Sequence, residues 1–155
     1  MERQADQDRA GRERYDSPAR QAAGGTFVAL ELNETDFGPG DTIRAGLWVT
    51  NGAPTRRIDF YLGYLAPDGI TVSFITSLSP LTFVTATRSE TERFQPLVRN
   101  AEMQQGLDFM RPDAVVAMLP PNFPEGDSVA FAAITAAGTL ELLTRIATAE
   151  FTFEQ

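Results

Sequence analysis

Between Thr26 and Asn51 apolar side chains recur at every second position, a period that suits a strand buried on one face. Val28, Leu30 and Leu32 fall on one side, with Phe27, Ala29 and Glu31 on the other. Ile43, Ala45, Leu47 and Val49 then repeat the pattern against Arg44, Gly46 and Trp48. Between the two runs, Asn33 through Pro39-Gly40-Asp41 is a turn: Pro sets φ, Gly permits a positive φ, and Asp bonds nearby amides. Asn51-Gly52 marks the next reversal.

The same grammar continues downstream. After a polar loop through Thr55-Arg56-Arg57, Ile58 to Leu65 predicts a third strand, with Asp59 and Tyr61 opposite Ile58, Phe60, Leu62 and Tyr64. Pro67-Asp68-Gly69 turns it into a hairpin partner over residues 70–76. Leu81 to Thr87 is another strand. The middle, 77–122, is less regular: a short helix is expected from Leu97 to Gln105, then an apolar run from Ala114 to Leu119 that Pro120-Pro121 stops. Val129 to Thr135, Thr139 to Leu143 and Arg145 to Phe153 close the pattern.

Eight or nine short strands at this spacing, without crossover helices, predict an all-β, antiparallel, immunoglobulin-like sandwich over residues 26–155. Residues 1–25 mix charge with Gln, Ala and Gly, and their apolar content is too low to order them, so a disordered tail or linker is expected there.

Composition narrows the chemistry. The chain has no histidine, cysteine or lysine, and all 13 cationic side chains are arginine. The usual proton shuttle, thiolate and Schiff-base amine are missing, as are the preferred ligands of zinc and copper. A carboxylate pair flanking a cleft would remain for glycoside hydrolysis, but the acids are scattered over turns and no pair stands out. The reading is therefore non-catalytic. Five acids and five arginines cancel within residues 1–20, so the net charge of −8 falls on the rest of the chain. An acidic body without a basic stripe argues against nucleic acid and against anionic membrane surfaces. No run approaches the roughly 18 apolar residues that span a bilayer.

Gly40-Asp41-Thr42, the strand to Asn51, Asp59-Phe60-Tyr61 and Pro67-Asp68-Gly69 resemble immunoglobulin-like accessory domains of large exported bacterial proteins. Pro124-Glu125-Gly126, Phe131, Gly138 and the strand from Thr148 to Phe153 look like the closing strands of such domains. Those domains often carry a Tyr after the glycine that opens the penultimate long strand, where this chain has Asp127-Ser128-Val129. The resemblance implies a spacer or interaction module outside the cytoplasm, in the periplasm or at the cell surface. Its partners would be other domains of the same polypeptide, a protein or a glycan. A self-assembling structural subunit (fibre, capsid or surface layer) and a protease-inhibitor-like binding domain are the alternatives.

Candidate sites are few. Trp48 and Tyr61 both lie opposite their strands' most apolar sets, so both are candidates for an exposed aromatic pair on one sheet. Packing beneath the 77–122 segment is the favoured alternative, because exposed Trp is uncommon. Arg56 and Arg57 could clamp a carboxylate from the neighbouring loop. Asp36 and Asp41, with Asn33 and Glu34, offer oxygens to Ca²⁺, although turns favour Asp and Asn for backbone reasons. No other cofactor is expected. Asn33-Glu34-Thr35 also fits the N-glycosylation acceptor pattern.

Overall fold

The computed structural model describes residues 25–155, and in it the alternating segments pair into two sheets. β1 (Thr26–Leu32) lies antiparallel to β3 (Thr42–Asn51), which lies antiparallel to β8 (Leu107–Met118). The larger sheet runs in the order β2 (Asp36–Phe37), β10 (Ala147–Phe153), β9 (Gly126–Ala136), β4 (Arg56–Leu65), β5 (Thr71–Leu78) and β6 (Leu81–Thr87). All its pairs are antiparallel except β2 with β10. β7 (Val98–Met103) also pairs with β4, along the half that β5 leaves free. The all-β sandwich is therefore present, with ten strands among the described residues where eight or nine were expected.

The period of two does the packing. Val28, Leu47 and Val49 from the small sheet meet Phe60, Leu62 and Ile134 from the large one. A second cluster at the other end holds Phe37, Leu119, Phe151 and Phe153. Burying each such side chain is worth about 1.5–3 kcal/mol. Tyr61 alternates with Phe60 and Leu62, so it points the other way, into a third cluster with Val72, Phe74 and Ala133 on the outer face of the large sheet. Phe94 covers that cluster, its ring 4.7 Å from that of Phe74. Phe123 ties the chain after β8 to the second cluster, 5.3 Å from Phe153.

Three expectations fail locally. Residues 98–103 form β7 and not a helix. A bulge opposite Asp59 places both Arg99 and Asn100 against one residue of β4, which breaks the two-residue rhythm by which the strand would be recognised. Residues 139–143 make a turn with a single bridge, Thr135 to Leu142, in place of a strand. The apolar run from Ala114 is the end of a twelve-residue strand, β8, that begins at Leu107 and stops at Met118, one residue before Leu119. The tail expected over 1–25 lies outside the described residues apart from Gly25.

One asymmetry positions the site. The small sheet has three strands and ends at β8, while the large sheet continues past it through β5 and β6. Leu78 and Phe83, on these two strands, are accordingly 42% and 46% exposed. The sandwich is open along this flank.

Candidate functional site

The open flank leads into a cleft between the sheets of about 390 Å³. Leu47, Val49, Phe60, Leu62 and Ile134 form its floor, and all are buried. Leu97 and Val98, entering β7, and Leu78, ending β5, form one lip; Leu107, Phe109 and Arg111 of β8 form the other. Val98 and Phe109 are 41% and 38% exposed. Apolar clefts of ~300–1,000 Å³ are the usual form of small-ligand sites.

Strand register explains which side chains enter. Arg111 stands directly opposite Leu47, and Leu107 opposite Asn51, so the odd-numbered residues 107–111 share the inward face. Past Arg111 a bulge accommodates Pro112, Asp113 and Ala114 against Gly46 of β3. A Cβ at Gly46 would lie 3.0 Å from the Pro112 carbonyl oxygen, so the bulge backbone would have to give slightly to admit a side chain there. Glu102 borders the cleft, but its partner in register is Arg57, whereas the flanking Ile58 and Met103 belong to the core. Its side chain therefore points to the opposite face.

Arg111 is the charged side chain that the inward face presents. Its guanidinium carbon lies 5.7 Å from the Phe109 ring centroid, and no described carboxylate is within ion-pair distance of it. The neighbouring acids are engaged elsewhere. Asp108 accepts the Trp48 indole N–H at 3.0 Å, and Asp113 pairs with Arg44 at 3.7 Å.

The residues singled out from the sequence do not gather here. Trp48 and Tyr61 lie on different sheets, because the chain crosses from one sheet to the other between β3 and β4. Trp48 is half-buried on the outer face of the small sheet, edge-to-face with Phe27 at 6.4 Å. Tyr61 is 7% exposed beneath the Phe94 segment. Burial raises the Tyr61 phenol above its ordinary pKa, with Asp59 adding to the rise and Arg99 opposing it. Arg56 and Arg57 open β4 and are not in a loop, and Arg57 donates to the Asn100 carbonyl at 2.8 Å.

The Asp36–Asp41 turn is held by its own atoms. The Asp41 carboxylate accepts the Gly38 N–H at 2.7 Å, and that of Asp36 accepts the Thr35 hydroxyl at 3.2 Å. Among the described residues no three metal-binding side chains converge. The Asn33 amide is tied to β3 through the Arg44 N–H and the Thr42 carbonyl. Among the described residues no helix is long and apolar enough to cross a membrane.

The cleft is not legible in the sequence, because the helix expected from Leu97 to Gln105 hides the strand β7 that lines it. Its signals were the inward residues Val98, Ala101 and Met103, and the width mismatch between sheets is invisible in a linear pattern.

Fold and site together define an antiparallel β-sandwich with one flank open onto an apolar cleft. No family model matches the sequence, and no curated protein matches it. Among solved structures it is similar to Spo0M, a sporulation control protein from Bacillus subtilis, with 16% identity and a TM-score of 0.49 over 85% of this chain. The chain spans 50% of the length of that structure. The β-glucosidase EmGH1 from Erythrobacter marinus matches 84% of this chain at 14% identity and a TM-score of 0.43, over 15% of its own length. A β-glucosidase from Listeria innocua in complex with gluconolactone gives 11% and 0.36, over 84% of this chain and 16% of its own. At these TM-scores the likenesses carry no functional argument.

Proposed function

We propose that this domain is a non-catalytic binding module that takes an apolar ligand or partner into the cleft between β8 and the β5–β7 side of the large sheet. The observation that carries the reading is the open flank itself: Leu78, Val98 and Phe109 stand exposed around an apolar floor. Soluble domains rarely leave contiguous apolar surface uncovered without a use for it. The lack of His, Cys and Lys keeps the module on the binding side of the divide between binding and catalysis. Its turn-and-strand resemblance to accessory domains supports a place in a larger exported polypeptide.

The test is fluorescence titration with Nile red, a neutral apolar dye, followed by an Ala114→Trp variant that fills the cleft. Saturable one-to-one enhancement, lost in the variant while its β-sheet circular dichroism is kept, is expected. Absence of saturable binding, or equal binding in the filled variant, overturns the reading.

A further inference from the structure

We infer that the ligand of this cleft is a single-chain amphiphile with an anionic head, a long-chain fatty acid, whose carboxylate is held by Arg111. The inference rests on the binding-module reading above and adds the chemistry of the occupant. Three observations meet at one place. The floor is hydrocarbon and so are the lips apart from Arg111, which suits an acyl chain and offers little to a polar ligand body. The lip carries one inward-facing cation, Arg111, with no described carboxylate to neutralise it. The acids that would cancel that charge, Asp108, Asp113 and Glu102, are turned to other faces by strand alternation and by their bonds to Trp48 and Arg44.

A guanidinium held against an aromatic ring at the mouth of an apolar cleft presents a planar fork matched to a carboxylate. The Phe109 ring, 5.7 Å away, orients the guanidinium, which is itself exposed at the mouth and open to an incoming carboxylate. The net charge of −8 disfavours docking on an anionic bilayer, so the occupant is a monomeric amphiphile from solution and not a lipid in its membrane. At physiological ionic strength the distant acids are screened over about 8 Å, and the local cation decides.

The experiment is displacement of Nile red by three twelve-carbon probes, laurate, 1-dodecanol and dodecyltrimethylammonium, in wild type and Arg111→Gln. Laurate should bind roughly tenfold more tightly than dodecanol in wild type, as expected for a charge-assisted pair, and the advantage should vanish in Arg111→Gln. The cationic probe should be the weakest in wild type. Equal displacement by laurate and dodecanol overturns the anionic head while leaving the apolar cleft standing. Nile red binding that none of the three displaces overturns the amphiphile, and displacement by an apolar extended peptide alone would assign the cleft to a peptide. Loss of signal only on self-association of the protein, seen by light scattering, overturns it in favour of a second copy. If Nile red itself does not bind, the underlying binding reading fails instead. Anionic phospholipid vesicles that pull the protein out of solution would also overturn the free-acid source.

Discussion

Asp59 accepts the backbone N–H of Asn100 at 2.7 Å, and Asn100 has a φ of 54°, positive for a residue that is not glycine. The second oxygen of the same carboxylate takes the Gly138 N–H at 2.9 Å. Asp59 is 2% exposed, so one buried side chain holds the β7 bulge and the turn after β9 against β4. This joint fixes the start of β7, whose Val98 forms a lip of the cleft.

Replacing that carboxylate should therefore be costly. Asp59→Ala leaves two buried amides without acceptors, and about 2–3 kcal/mol of stability should be lost. Urea denaturation measures it; a loss below about 0.5 kcal/mol would show that the joint is dispensable.

Gly63 presents a purely steric case. A Cβ there would collide with the Ser73 carbonyl oxygen and lie 3.1 Å from the Phe131 ring, where β4 and β5 run together. Gly63→Ala should cost about 3 kcal/mol, at the upper end of overpacking effects, or abolish folding. A near-native denaturation midpoint in this variant would refute the close approach.

Ser128 and Asn51 are both fully buried polar residues, yet opposite outcomes are expected. The Ser128 hydroxyl has no partner among the described residues, so Ser128→Ala should be neutral or stabilising by up to about 1 kcal/mol. Asn51 accepts from the Thr26 hydroxyl at 2.9 Å and the Ala53 N–H at 3.2 Å, and donates to the Ala53 and Gln104 carbonyls. Asn51→Ala should lose about 2–3 kcal/mol. Parallel thermal melts of the two variants decide the matter by the sign of their difference.

The pH dependence of stability should have two limbs. Asp68 accepts the Thr71 and Ile70 amides, each at 2.8 Å, and the Thr71 hydroxyl at 2.7 Å, which lowers its pKa. Glu90 is lowered chiefly by the Thr87 amide. A lowered folded pKa means the folded state releases the proton more readily. Its contribution is present above the unfolded carboxylate value of about 4 and is lost as pH falls through the folded one. Tyr61 is raised, so its contribution is present below about pH 10 and is lost as pH climbs through the raised value. Denaturation midpoints should fall at both ends; Asp68→Asn should flatten the acid limb and Tyr61→Phe the alkaline one.

Where each strand buries one face, the fold could be read directly. β4 and β9 bury both faces, Phe60 and Ile134 inward and Tyr61 and Ala133 outward, while β1 and β3, with Val28 and Leu47 in step with their neighbours, announce themselves most plainly. β7 did not, since the bulge at Arg99 and Asn100 shifts its phase, and that bulge is set by a partner 41 residues earlier in the chain. Trp48 and Tyr61 both stand opposite the sets of their strands that face the main core. Nothing in their spacing could tell that those strands belong to separate sheets.

Sequence alone determined the β period, the turns at Pro39-Gly40-Asp41 and Pro67-Asp68-Gly69, and the lack of His, Cys and Lys, because these depend on single residues and their near neighbours. Tertiary structure alone decided that one sheet is narrower than the other and that Arg111 faces the gap while Asp108 and Asp113 face away. Those facts come from pairing between distant strands, where a one-residue change of register moves every side chain to the opposite face.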